Sequence, residues 1–248
     1  MREEYTKKEH WNEVNNKERY HMVTKQHAVV RLIDEYIPDS NGSKECFEIG
    51  CCPCRFLAYM GVKKKYIING IDYSDGMTER LDRWLRSRNQ KVGKVCQGDF
   101  FEMNDSKKYD FVYSCGFIEH FEDYRKVIRM HVPLVKKSGY LVITTPNFRG
   151  RFQYMVHKLF DRENLERHNI ASMNPDQWKK ILEGEHFKIL YCGYFGGIDF
   201  WVSKKQRRGK TETFILNMLM KFIGKIKEKD LKNSKEWSPY IGIVAVKE

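Results

Sequence analysis

Between residues 44 and 148 the chain alternates five short apolar runs with helix-like segments, and that alternation limits its fold more than any other feature. The runs are "ECFEIG", "YIINGID", "GKVCQGD", "YDFVYSCG" and "GYLVITTPN". Residues 53–60, "SDGMTERLDRWLRSRN" and residues 121–136 lie between them with helical spacing or helix start and stop signals. Strands alternating with helices predict βαβ units, a mostly parallel sheet and right-handed crossovers.

The flanks add helices and two further strands. Residues 20–37 place apolar groups at helical spacing before "PDSNGS" breaks the chain. "NPDQWKKILEG" carries a helix signature, with Asn174 as cap, Pro175 in the first turn, Gln177 three past the cap and Gly184 at the stop. "HFKILYCGYF" and "SPYIGIVAV" read as strands, with a basic amphipathic helix at about 211–227 between them. Its apolar face comprises Phe214, Ile215, Met218, Leu219, Phe222, Ile223 and Ile226. Packing on its own domain, contact with a membrane surface and a dimer contact are all open to such a face. The expected organisation is one domain over 1–248, with an N-terminal helical cap at 1–40, a ligand-binding core at 44–148, and an acceptor side at 149–248 that includes an insertion at 204–235.

An open α/β sheet binds its ligand beyond the carboxyl ends of its strands, beside strand one. Here that position reads "FEIGCCPCRFL". A C-x-P-C that opens a helix is a redox setting, because a helix N-terminus lowers a thiol pKa. No Trp precedes the first cysteine, however, and βα units continue on both sides. Zinc usually takes four ligands in two spaced pairs, and this is one crowded cluster. A cofactor turn needs small residues that let backbone N–H groups approach a ligand. Asp72, 22 residues after Gly50, ends the second run where a carboxylate accepts from ribose hydroxyls. Gly98-Asp99-Phe100 ends the third, a carboxylate and a ring suited to adenine.

These segments together resemble the class I S-adenosylmethionine (SAM)-dependent methyltransferases of the small-molecule branch. "FEIGCCPCRFLAYMG" stands where that family has an acidic residue and G-x-G-x-G, and "GIDYSDGM" is similar to its ribose-binding strand end. "GDFFE" is similar to its adenine-binding segment, and "YDFVYSCGFIEHFED" resembles its fourth strand with a glutamate–histidine pair. The resemblance implies a Rossmann-like α/β fold with a seven-stranded, mostly parallel sheet flanked by helices, N-terminal helices and a helical insertion before the last strand. It implies SAM as cofactor, held by Glu48, Gly50, Cys52, Cys54, Asp72, Tyr73, Met77, Asp99, Phe100, Ser114, Cys115 and Gly116, and no metal. Cys52 and Cys54 replace two family glycines. Cysteine carries a penalty at positive φ, and the sulfurs are expected to press on the methionine moiety of SAM. A Cys51–Cys54 disulfide is a further expectation, as a gate in oxidising conditions.

His120 is the candidate general base, an imidazole suited to proton removal near neutrality, and Glu119 is its orienting partner or an acceptor ligand. A helix cap or scaffold role for His120 is equally open. Asn147 is expected to border the cleft or to serve as a turn residue. No N-P-P-[YFW] and no Pro-Cys follow the fourth strand, which argues against methylation of DNA bases. "HNIASMNPDQWKKIL" and "FKILYCGYFGGIDFW" resemble segments of bacterial methyltransferases from surface-polysaccharide and secondary-metabolite clusters. That implies O-methylation of a saccharide, a lipid-linked saccharide or another small-molecule hydroxyl. His168 and Asn169 would line the acceptor pocket. Tyr194, Phe195, Phe200 and Trp201 either stack on the acceptor or pack internally, as aromatics usually do.

The formal charge of +12 over 248 residues favours polyanionic partners, so an RNA methyltransferase is the first alternative, although no RNA-binding module is visible. A non-catalytic scaffold with a degenerate loop is the second, motivated by Cys52 and Cys54. Seven cysteines without paired spacing read as free thiols of a cytoplasmic protein. No run of about 18 apolar residues predicts a membrane span, and "MREEYTKKEHWNE" lacks the apolar centre of a secretory signal.

Overall fold

Every predicted apolar run is a strand of one sheet in the computed structural model, which describes residues 4–17, 19–104, 106–203, 208–227 and 232–248. Residues 204–207 and 228–231 of the predicted insertion lie outside the described residues. In chain order the elements are α1 (Lys8–Lys17), α2 (Ala28–Tyr36), β1 (Glu45–Ile49), α3 (Arg55–Val62), β2 (Ile67–Asp72), α4 (Glu79–Arg86) and β3 (Val92–Gln97). Then follow β4 (Tyr109–Cys115), α5 (Tyr124–His131), β5 (Val135–Pro146), α6 (Arg151–Phe160) and α7 (Arg162–Glu166). The last are α8 (Pro175–Gly184), β6 (Phe187–Phe195), α9 (Lys210–Lys227) and β7 (Tyr240–Lys247).

The seven strands lie in the order β3-β2-β1-β4-β5-β7-β6. β3, β2, β1, β4 and β5 pair in parallel, while β7 pairs antiparallel with both β5 and β6. Successive side chains of a strand face opposite sides, and both sides are covered. Cys46, Phe111, Tyr113, Val142 and Val244 meet Val30 and Ile33 of α2, Leu57 and Met60 of α3, and Leu81 and Leu85 of α4. Their neighbours Phe47, Val112, Leu141, Ile143 and Ile243 meet Val127 and Ile128 of α5 and Trp178 and Leu182 of α8. Strands buried on both faces read as unbroken apolar runs, which is why the sheet is visible in the sequence.

Helix boundaries depart from the expected spans for local reasons. The 20–37 segment is helical only from Ala28, because His27 is extended and its Nδ1 accepts from the Val29 N–H at 3.3 Å. Asn174 makes no side-chain cap. Gln177 turns instead to α5, where its Oε1 accepts from the Tyr124 hydroxyl and from Arg125 Nη2, the latter at 2.8 Å. α9 packs through Leu216 and Ile223 on Val156, Phe160 and Phe200, a narrower face than predicted. Phe214, Met218 and Phe222 stay 65%, 57% and 60% exposed. No helix among the described residues is long and apolar enough to cross a membrane.

Candidate active site

The strand order reverses between β1 and β4, so the loops leaving these two strands form a crevice at their carboxyl ends. Gly50 opens the first loop at φ +72°, and the N–H groups of Gly50 and Cys51 both donate to the Ile71 carbonyl, at 2.9 and 3.2 Å. A Cβ on Gly50 would lie 2.7 Å from the Phe117 ring, so only glycine fits between the two loops. Gly116, at φ +73°, makes the matching turn after β4.

The two cysteines that replace family glycines place their side chains differently. Cys54 is left-handed at φ +65°, the strained region foreseen for it, but its side chain is fully buried beneath the loop in the core of the α2–α4 face. Cys52 turns its sulfur toward Gly76 and Asn15 of α1. Cys51 and Cys54 are free thiols with their sulfurs 3.9 Å apart. Burial pushes the Cys51 thiol well up, the opposite of an activated redox cysteine.

Asp72 faces the loop from the end of β2. Its Oδ2 accepts from Cys52 N–H at 3.0 Å and its Oδ1 from Ser74 N–H at 2.8 Å. The Ser74 side chain also hydrogen-bonds this carboxylate, which has four acceptor sites in all. Tyr73 follows, its hydroxyl donating to the Thr6 carbonyl at 3.5 Å, and Met77 lies at the edge of the α2–α4 core. At the end of β3, Asp99 Oδ1 accepts from Phe101 N–H at 2.9 Å, and the buried Phe100 ring meets Phe101, Phe117 and His131 edge-on.

Two predicted cofactor ligands have their side chains turned inward. Glu48 is buried on the Tyr113 side, where the tyrosine hydroxyl donates to it at 3.1 Å and burial raises its carboxyl well above the usual range. The Ser114 hydroxyl donates to His131 Nε2 at 3.0 Å, since His131 Nδ1–H is held by the Val127 carbonyl at 2.8 Å. Cys115 is half-buried, and burial raises its thiol.

Beyond Gly116, a 3-10 turn over Ile118–His120 buries both candidate catalytic residues. Neither carboxylate oxygen of Glu119 has a hydrogen-bond partner, and burial lifts its pKa to about 8. Burial also lowers His120 to about 4, which keeps the imidazole neutral near pH 7. At 3.9 Å, with both groups favoured neutral, Glu119 and His120 are not an ion pair. His120 Nδ1 is held by Thr6 Oγ1 at 3.0 Å, and its ring meets Trp11 edge-on and the His168 ring at 4.7 Å between centroids. His168 is buried beside the pair.

Other candidates serve the frame. Asn147 is fully buried, donating to the carbonyls of Lys235 and Ser238 at 2.8 Å each, and so does not border the cleft. Asn169 donates to the carbonyls of Phe121 and Glu122. Phe195 stacks on Tyr240 and Phe200 packs under α9. Trp201 lies against Phe148 and His157, and Tyr194 packs at the margin of the core. The sequence reading missed Thr6 and Trp11, which reach the site from the far end of the chain. It also missed a buried His157–Asp161 pair, 3.1 Å apart on successive turns. Only the i,i+4 spacing of that pair is visible beforehand.

The comparisons agree with this geometry. A methyltransferase-domain family matches residues 21–191, more than half of the chain, and the chain therefore belongs to that family. It is a class I SAM-dependent methyltransferase, with SAM as its cofactor. Among solved structures, a SAM-dependent methyltransferase from Archaeoglobus fulgidus is similar with 20% identity and a TM-score of 0.54, over 88% of this chain and 93% of that one. Magnesium protoporphyrin IX methyltransferase from Synechocystis PCC 6803, solved with bound SAH, has 14% identity and a TM-score of 0.54, over 89% and 80%. The [4+2]-cyclase SpnF, at 15% identity and a TM-score of 0.55 over 88% and 79%, has the same fold under another reaction's name. Likeness at this level shows the fold alone. No curated protein matches the sequence.

Proposed function

We propose that this chain O-methylates a saccharide or another small-molecule hydroxyl, with residues 44–148 holding SAM and 149–248 completing the acceptor side. The crevice between β1 and β4 supports the cofactor assignment: glycine turns at Gly50 and Gly116 open both loops, the Cys54 side chain is buried in the core, and the Asp72 carboxylate lies at the end of β2 beside the first loop. Asp99 and Phe100 would take the adenine, and the turns at Gly50 and Gly116 would flank the methionine portion. When bound, SAM supplies an electrophilic methyl carbon. The protein's part is to hold the acceptor in line with it and to exclude water.

The observation that carries the acceptor assignment is the buried Glu119, His120 and His168 group just past Gly116. An alcohol must lose its proton to be methylated, whereas a neutral amine need not, so a polar group rich in acceptors at this position favours a hydroxyl. The exposed apolar face of α9, interrupted by Lys221 and Lys225, suits a cytoplasmic enzyme that meets a lipid-linked acceptor at a membrane surface.

The test is calorimetric titration of the reduced protein with SAM, followed by transfer of labelled methyl to free saccharides, lipid-linked saccharides and RNA. Micromolar SAM binding and label in a saccharide are expected. Label in RNA, with steeply salt-dependent binding, would replace this reading by the RNA one. Failure to bind millimolar SAM would remove the cofactor assignment.

A further inference from the structure

We infer that Glu119, His120 and His168 form a binding site for one divalent first-row transition-metal ion. One ligand atom from each residue lies within 4.8 Å of those of the other two, and all three residues are buried. The hydrogen bonds around them fix where the protons are. His168 Nδ1 lies 2.6 Å from the Asn164 carbonyl, which can only accept, so the proton is on Nδ1 and Nε2 carries a lone pair. The Thr6 hydroxyl donates its one hydrogen to the Arg167 carbonyl at 2.9 Å, so at His120 Nδ1 it accepts. With the Arg167 carbonyl also 3.3 Å from His120 Nδ1, the Nδ1–H tautomer is the one that leaves Nε2 as a ligand, and an ion there would replace the hydrogen bond between this imidazole and the Gly116 carbonyl. Both Glu119 oxygens are buried without a donor. Three ligand atoms converge here, and neither oxygen of the buried carboxyl has a protein partner. That arrangement is costly when empty and satisfied by a cation.

The support around the group is that of a ligand set. Imidazoles that bind metals characteristically hand their other N–H to a carbonyl or carboxylate, and both do so here. The backbone fixes the spacing, since Asn169 N–H donates to the Glu119 carbonyl at 2.7 Å and its side chain to Phe121 and Glu122. His168 is thereby tied to the turn that carries the other two ligands. Two imidazoles and one carboxylate suit zinc, cobalt, nickel or iron, and are a poor set for magnesium or calcium, which prefer oxygen alone. Three protein ligands leave at least one position open. A Cβ on Gly116 would lie 3.5 Å from Glu119 Oε1, so the carboxylate adjoins the cofactor turn. On the function proposed above, on which this role alone rests, an acceptor hydroxyl at the open position would be acidified by the ion.

The experiment uses Co²⁺ as the probe on the chelator-treated, reduced full chain, followed by visible and near-ultraviolet absorption. One equivalent should bind with ligand-field bands and without a thiolate charge-transfer band, and Zn²⁺ but not Mg²⁺ should displace it. Glu119→Gln and His168→Gln, each checked for a cooperative thermal melt, should weaken binding about 100-fold or more, given that even outer-shell changes cost 10–100-fold. No binding at millimolar Co²⁺, a charge-transfer band that assigns the ion to the cysteine loop, or unchanged affinity in a folded Glu119→Gln would overturn the site. If neither variant folds, anomalous scattering from Co²⁺-soaked wild-type crystals decides. A peak among the three side chains supports the site, and a peak at Cys51–Cys54 or none overturns it. SAM titrated in parallel keeps the two readings apart. SAM binding without Co²⁺ removes the metal site only, and Co²⁺ binding without SAM removes the methyl-transfer reading only.

Discussion

At the scale of single residues, two positions in one loop show how differently left-handed backbone is tolerated. Gly50 is left-handed and also pressed by the Phe117 ring, whereas Cys54 is left-handed with its side chain accommodated in the core. Gly50→Ala should therefore lower SAM affinity about tenfold or more, or roughly 1.4 kcal/mol, measurable by calorimetry. His131 gives a pH prediction. Burial lowers its pKa to about 4, against about 6.5 in the unfolded chain. The folded state refuses a proton that the unfolded state accepts, so stability is unaffected above pH 6.5 and falls as pH drops from 6.5 to 4. The loss at pH 4 is about 3 kcal/mol from this one group. Denaturant melts of wild type and His131→Gln across that window should show a shallower decline in the variant. Equal slopes would refute the assignment.

At the scale of elements, the frame depends on polar latches that apolar periodicity does not reveal. Trp178 fills the centre of the α8–sheet contact, and its indole N–H donates to the Ser172 carbonyl at 2.6 Å. Trp178→Ala should cost ~3–5 kcal/mol in a denaturant melt. Asn147 closes the carbonyls of Lys235 and Ser238, and Asn147→Ala should cost about 1–3 kcal/mol by the same measurement. Strands β1, β2, β4 and β5 were legible because strands buried on both faces are written as nearly continuous apolar runs, while the exposed edge strand β3 was legible from its place in the alternation. α1 and α7 were not placed residue by residue, because they are short and rich in charged side chains, and α6 lacks both a cap signal and an acidic first turn. Their helicity comes from tertiary contact more than from local pattern. The glycine loop was legible from its position after β1. The inward turn of Glu48, Ser114 and Asn147 was not, since partners such as Tyr113, His131 and Ser238 are brought to them only by the sheet and its crossings.

At the scale of the molecule, the site draws on distant parts of one chain: Thr6 and Trp11, the turn at Glu119 and His120, and His168. The N-terminal segment is tied across the crevice by Tyr5 N–H to the His120 carbonyl at 2.9 Å and by Lys8 to Asp75 at 2.7 Å. Removing residues 1–17 should leave the sheet folded and make His120 reactive toward diethyl pyrocarbonate, read by mass spectrometry. Protection equal to the full chain would count against that cover. The strand order has a consequence for biosynthesis. β7, made of residues 240–247, inserts between β5 and β6 and joins them. On the ribosome β5 must therefore wait with an open edge while about a hundred further residues are translated, and β6 has no neighbour until then. The nascent chain spends that interval with an apolar strand edge exposed, which is the stage at which a chaperone would matter most to this protein.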